Sequence, residues 1–94
     1  MKIEVKKFGN ILVSRPSGKE AALAIRTLFR PKADENIELD FTGVLSVAPS
    51  WLDEVLNFLR NEYGKERVVC LPSNNPSVIE SLKVINSHRS VHEK

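Results

Sequence analysis

The segment from Asp40 to Glu54, DFTGVLSVAPSWLDE, constrains the fold more than any other stretch of this 94-residue chain. An apolar run, Ile37 to Phe41, ends in a polar turn, and Pro49 and Ser50 then open a strongly amphipathic helix. Strand, short turn and helix in that order make an α/β unit. They also put backbone N–H groups and a serine hydroxyl at a helix N-terminus, where anions and partner groups tend to dock. No constellation of catalytic groups converges on the segment, so the pattern points to a binding or switching module and not to an enzyme.

The flanking sequence extends the unit. Ile3 and Val5 alternate with Lys2, Glu4 and Lys6, as in a strand with one wet face, and Phe8-Gly9-Asn10 separates them from Ile11-Leu12-Val13. This spacing predicts an antiparallel hairpin. Ser17 and Glu20 have capping-box spacing, and Ala21, Ala24, Ile25, Leu28 and Phe29 follow at helical intervals until Pro31. After the strand from Asn36 to Phe41, the second helix runs from Pro49 to Tyr63, with Leu52, Val55, Leu56 and Leu59 as its core stripe and Gly64 as its cap. Arg67 to Leu71 reads as the fourth strand. Asn75 and Pro76 open a third helix that turns Val78, Ile79, Leu82 and Ile85 inward. The expected fold is a single α/β domain over residues 1–86, a four-stranded mixed sheet in the order β-β-α-β-α-β-α, followed by a polar tail over residues 87–94.

Composition narrows the function. A chain this short holds one modest core and no large internal active-site cavity. No stretch is long and apolar enough to span a membrane, the N-terminus lacks a leader-like apolar core, and Cys70 is the sole cysteine; these features point to the cytoplasm. The net charge of +2 is unevenly laid out: residues 1–33 sum to +6 and residues 34–64 to −6. Without interleaved aromatics, the basic third reads as solvated surface, and nucleic acid is not the expected partner.

Several residues carry candidate roles. Ser50 is either a phosphoryl acceptor or an N-cap with Asp53 completing a capping box. Asp53 and Glu54 point about 100° apart on a helix, which rules out a catalytic carboxylate pair. Both complement a helix N-terminus, and either can pair with Arg15, because the end of the second strand and the start of the second helix share one rim of the sheet. Trp51 is either an interface anchor or a core residue. The run from Ser14 to Glu20 lacks the first glycine and the magnesium-binding hydroxyl of a phosphate loop. His88 and His92 have helical metal-pair spacing but no third ligand nearby, so no metal and no cofactor is expected.

Four stretches in this order resemble the STAS-like domains, in particular the DUF4325 branch: Phe8-Gly9 with Leu12-Val13-Ser14-Arg15, then Leu39 to Val44, then Ser50-Trp51-Leu52-Asp53-Glu54-Val55-Leu56, and Pro76-Ser77-Val78 through Leu82. The resemblance covers residues 8–85. It implies regulation through protein contact, with a serine-kinase-like ATPase of the histidine-kinase-like type as partner and Ser50 as the hydroxyl that such an ATPase phosphorylates. In the corresponding motif only Ser50 keeps a hydroxyl; Ala48, Pro49 and Trp51 replace the other members. The expected partner surface is Ser14, Arg15, Ser46, Pro49, Ser50, Trp51, Asp53 and Glu54. The alternative function is an anion- or nucleotide-sensing or nucleic-acid-associated binding domain.

Overall fold

A computed structural model describes the backbone of residues 1–92 and the side chains of residues 1–87. The strands are β1 (Lys2–Glu4), β2 (Ile11–Leu12), β3 (Ile37–Asp40), β4 (Ser46–Val47) and β5 (Val68–Cys70), and the helices are α1 (Arg15–Leu28), α2 (Pro49–Tyr63) and α3 (Pro76–His92). Single 3-10 turns occupy Val5–Phe8 and Lys65–Arg67.

The sheet departs from the expected one. Every pairing is parallel, in two ladders, β1–β3–β5 and β2–β4. The expected hairpin is absent because the 3-10 turn and Gly9, with φ of 127°, offset the chain sideways without reversing it. The missing strand is Ser46–Val47, which the sequence reading took as part of a turn. The order is therefore β-β-α-β-β-α-β-α. β2 and β4 follow β1 and β3 along the chain, so the second ladder is the first resumed beyond a paired break.

Both crossovers of the larger ladder step the same way along the sheet, so right-handedness puts α1 and α2 on one face. Strand burial alternates accordingly. Ile3, Ile37, Leu39 and Val68 are buried, whereas Lys2 and Val69 are exposed and Glu38 and Asp40 half-buried. The stripe of α2 is as the sequence predicts, with Leu52, Val55, Leu56 and Leu59 all fully buried. Gly64 closes α2, its N–H donating to the Arg60 carbonyl at 2.9 Å.

Helix starts differ by a few residues from expectation. Ser14, not Ser17, caps α1, its Oγ accepting from the Ser17 N–H at 3.2 Å, because Pro16 fits the first helical turn. Ala48, not Ser50, is the N-cap of α2, with Pro49 in the first helical position, so the expected Ser50–Asp53 capping box does not form. Asn75 caps α3 as read, its Oδ1 accepting from the Ser77 N–H at 2.9 Å.

Two apolar positions expected to face the core turn outward. Leu28 is 72% exposed, and Phe29 packs on the core in its place. Ile79 is 40% exposed, and the inward positions of α3 are Val78, Ser81 and Ile85, with Leu82 half-buried. The backbone of α3 continues past Asn86 to His92, and the His88–His92 pair lies outside the described side chains. Among the described residues, no helix is long and apolar enough to cross a membrane.

Candidate functional site

Parallel strands put the starts of α1 and α2 on one rim. α1 begins three residues after β2, and α2 begins directly beyond Ala48 at the end of β4. The two helices pack closely at Gly18, which is buried in α1: a Cβ there would lie 2.7 Å from the Trp51 carbonyl oxygen and 3.2 Å from the Glu54 Cβ. This approach brings Arg15 over α2. Its Nη1 donates to Asp53 Oδ2 at 3.1 Å and to Glu54 Oε1 at 3.3 Å, the pairing that the shared rim predicts. The two carboxylates hold the guanidinium pKa above its ordinary value, Asp53 contributing most. The group is half-exposed, so the cluster orients side chains more than it stabilises the fold. Asp53 and Glu54 stand beyond the first turn of α2, too far along to complement the helix dipole strongly.

Beside this cluster lies a shallow cleft of about 170 Å³, lined by Arg15, Pro49, Ser50, Asp53, Val84 and Ile85. Three helices build it: α1 supplies the guanidinium, α2 its opening turns, and α3 an aliphatic wall. Four of the eight expected surface residues thus share one cleft. Glu54 joins through Arg15, and Ser14 caps the helix that carries Arg15. Ser46 is half-buried in β4, its N–H donating to the Asn10 carbonyl at 3.0 Å, and it does not line the cleft.

Trp51 requires a correction. At 1% exposure it is a core residue and not a surface anchor, and its indole N–H is buried without a hydrogen-bond partner. The amphipathic pattern is compatible with either role; the packing of α2 turns Trp51 inward with Leu52 and Val55.

The segment resembling a phosphate loop is helical from Arg15 onward. The Ser17 and Gly18 N–H groups are taken up by the Ser14 side chain and carbonyl, which leaves that run no loop to cradle an anion. Among the described residues, no group of three His, Cys, Asp or Glu side chains could hold a metal. Burial pushes the Cys70 thiol up to about 11, the opposite of what a nucleophile needs.

Sequence reading missed Val84 and Gly18. Val84 is an exposed valine off the core stripe, with no local signal of its role. A glycine inside a helical pattern is a signal of close packing, and Gly18 carried it.

A family model described as a STAS-like domain of unknown function, DUF4325, matches residues 22–78, more than half of the chain. The chain belongs to the DUF4325 family. The match includes the opening of α2 in this STAS-like domain and stops short of Arg15 on one side and Val84 on the other. No curated protein and no solved structure matches the chain.

Proposed function

We propose that this STAS-like domain is a non-catalytic regulatory module that docks a protein partner on the rim where α1 and α2 begin. The carrying observation is the cleft over the start of α2, where the Arg15–Asp53–Glu54 cluster borders an aliphatic wall. Such a surface offers fixed charges, the Ser50 hydroxyl and apolar area, the ingredients of a recognition patch. It offers no base near an activated nucleophile, and its charges are spent on one another. The docking residues are Arg15, Pro49, Ser50, Asp53 and Glu54, with Ser14 capping the helix that carries Arg15. The partner class that the resemblance favours is an ATPase of the histidine-kinase-like type or another signalling protein. Ser50 is the candidate acceptor of a phosphate, which would compete with Asp53 and Glu54 for Arg15.

Anion or nucleic-acid sensing is the weaker reading, because two carboxylates outnumber the guanidinium beside them. The test is affinity capture from host extract with the intact chain, with Arg15→Glu and with Lys83→Glu, an exposed change on α3 outside the cleft. Proteins retained by the intact chain and Lys83→Glu but lost by Arg15→Glu support the reading, and mass spectrometry on the captured complex reads phosphate at Ser50. Equal capture by all three chains refutes the docking surface. Recovery dominated by nucleic acid that washes off steeply with salt favours the alternative.

A further inference from the structure

The outer edge of β4 is not left open. Val47 points its backbone N–H and carbonyl away from β2, and α3 takes both: Ser77 Oγ accepts from the Val47 N–H at 3.0 Å, and Ser81 Oγ donates to the Val47 carbonyl at 2.9 Å. The two serines stand one helical turn apart, so their hydroxyls meet one strand residue as a neighbouring strand would. One step earlier, the Asn75 side-chain amide donates to the Val44 carbonyl at 2.7 Å and the Leu45 carbonyl at 3.1 Å. The helix thus stands in for a third strand where β5 has already left the sheet.

The attachment of α3 is less apolar than that of α2. α2 buries Trp51, Leu52, Val55, Leu56 and Leu59, whereas among the described side chains of α3 only Val78, Ser81 and Ile85 are fully buried, Leu82 is half-buried, and Ile79 and Val84 are exposed. The last backbone bond from β5 to the larger ladder is Leu71 N–H to the Leu39 carbonyl at 2.9 Å; among the described residues, Pro72 to Asn74 make none to either sheet. A helix held by a short apolar stripe and a few side-chain hydrogen bonds beyond such a tether belongs to the low-stability end of a domain. The same helix carries Val84 and Ile85, the aliphatic wall beside Ser50.

We propose that α3 is a latch: it swings from β4 about the 72–74 segment while the sheet, α1 and α2 stay folded, and its release uncovers Ser50 and the Val47 edge. This builds on the docking reading above by adding regulation of the same site. Partner access at the start of α2 is then set by an equilibrium within the domain, and any partner that takes Ser50 or the Val47 edge holds the latch open.

Native-state hydrogen exchange on the full chain tests the latch without a partner, so its failure leaves the docking reading standing. Amides of α3 and Val47 should exchange on the order of tenfold to a hundredfold faster than those of Leu52 to Leu59. Ser81→Ala should speed α3 exchange by about tenfold, the population change expected from losing one hydrogen bond. That bond is absent from the open and the unfolded chain alike, so α2 should speed up by the same factor and α3 should keep its lead. In a Cys70→Ala background, the labelling rate of Ser50→Cys should rise in step with the α3 exchange when Ser81→Ala is added. Exchange of α3 at the same rate as α2 overturns the proposal, as does a Ser50→Cys labelling rate that Ser81→Ala leaves unchanged.

Discussion

Gly18→Ala measures how tightly α1 and α2 are locked. In an unconstrained helix the change would stabilise the domain by about 0.5–1 kcal/mol, since alanine loses less backbone entropy than glycine. Here the new methyl would sit 2.7 Å from the Trp51 carbonyl oxygen and 3.2 Å from both the Trp51 Cα and the Glu54 Cβ. Two of those three atoms are backbone, in a helix whose Trp51, Leu52 and Val55 are 1%, 0% and 0% exposed, so α2 cannot yield locally. The helices must part by a few tenths of an ångström along their whole contact, and overpacking of this kind typically costs about 1–3 kcal/mol. The clash outweighs the propensity gain, for a net loss of roughly 1–2 kcal/mol. In a domain of this size each kcal/mol lowers the melting temperature by about 4–8 °C. Urea unfolding followed by circular dichroism should show a lower midpoint with an unchanged slope. A Gly18→Ala domain as stable as the parent, or more stable, would refute the close-packing account and with it the placement of Arg15 over α2.

Three further expectations follow from the hydrogen-bond pattern. Ser14→Ala should cost about 1 kcal/mol, the usual value of an N-cap, whereas Ser17→Ala, whose hydroxyl caps nothing, should be nearly neutral by thermal melting. Asp40 accepts from the Thr42 hydroxyl at 2.7 Å and the Thr42 N–H at 3.0 Å, with Lys2 adding a smaller pull, and these hold its carboxyl below the ordinary value. Because the folded pKa is depressed, the stability it contributes is present above the unfolded carboxylate range and is lost as pH falls through the folded value. Thr42→Val should therefore raise the Asp40 midpoint in an NMR titration, and no movement would dismiss the hydroxyl as the main cause. Cys70, pushed up to about 11 by burial, should react with a disulfide reagent far more slowly at pH 8 than after denaturation; as a raised acid, it should also weaken the fold as pH climbs above the unfolded thiol value.

Much of this domain was legible wherever burial set the residue choice. The α2 stripe, the Ile37–Leu39–Phe41 alternation and the Asn75–Pro76 helix start all stand as read, since each expresses one period of one element. The hairpin failed because a short turn can offset a strand as readily as reverse it, and only the pairing partner, some 35 positions away, decides. Ser46–Val47 was hidden by its shortness, and Ser81 is a polar residue buried for a carbonyl on another element. At the site, the Arg15 pairing could be foreseen from parallel topology alone. The inward turn of Trp51 could not, because Trp51 stands beside the core stripe of α2 and only the elements packed around that side decide whether it is covered.

The absence of any hairpin bears on how the chain reaches this state. Every strand pair joins residues 31 to 36 positions apart, so no piece of sheet can close early over a short loop. On a ribosome, the larger ladder stays incomplete until Cys70 has emerged, and for that interval β3 has β1 on one side and no strand on the other.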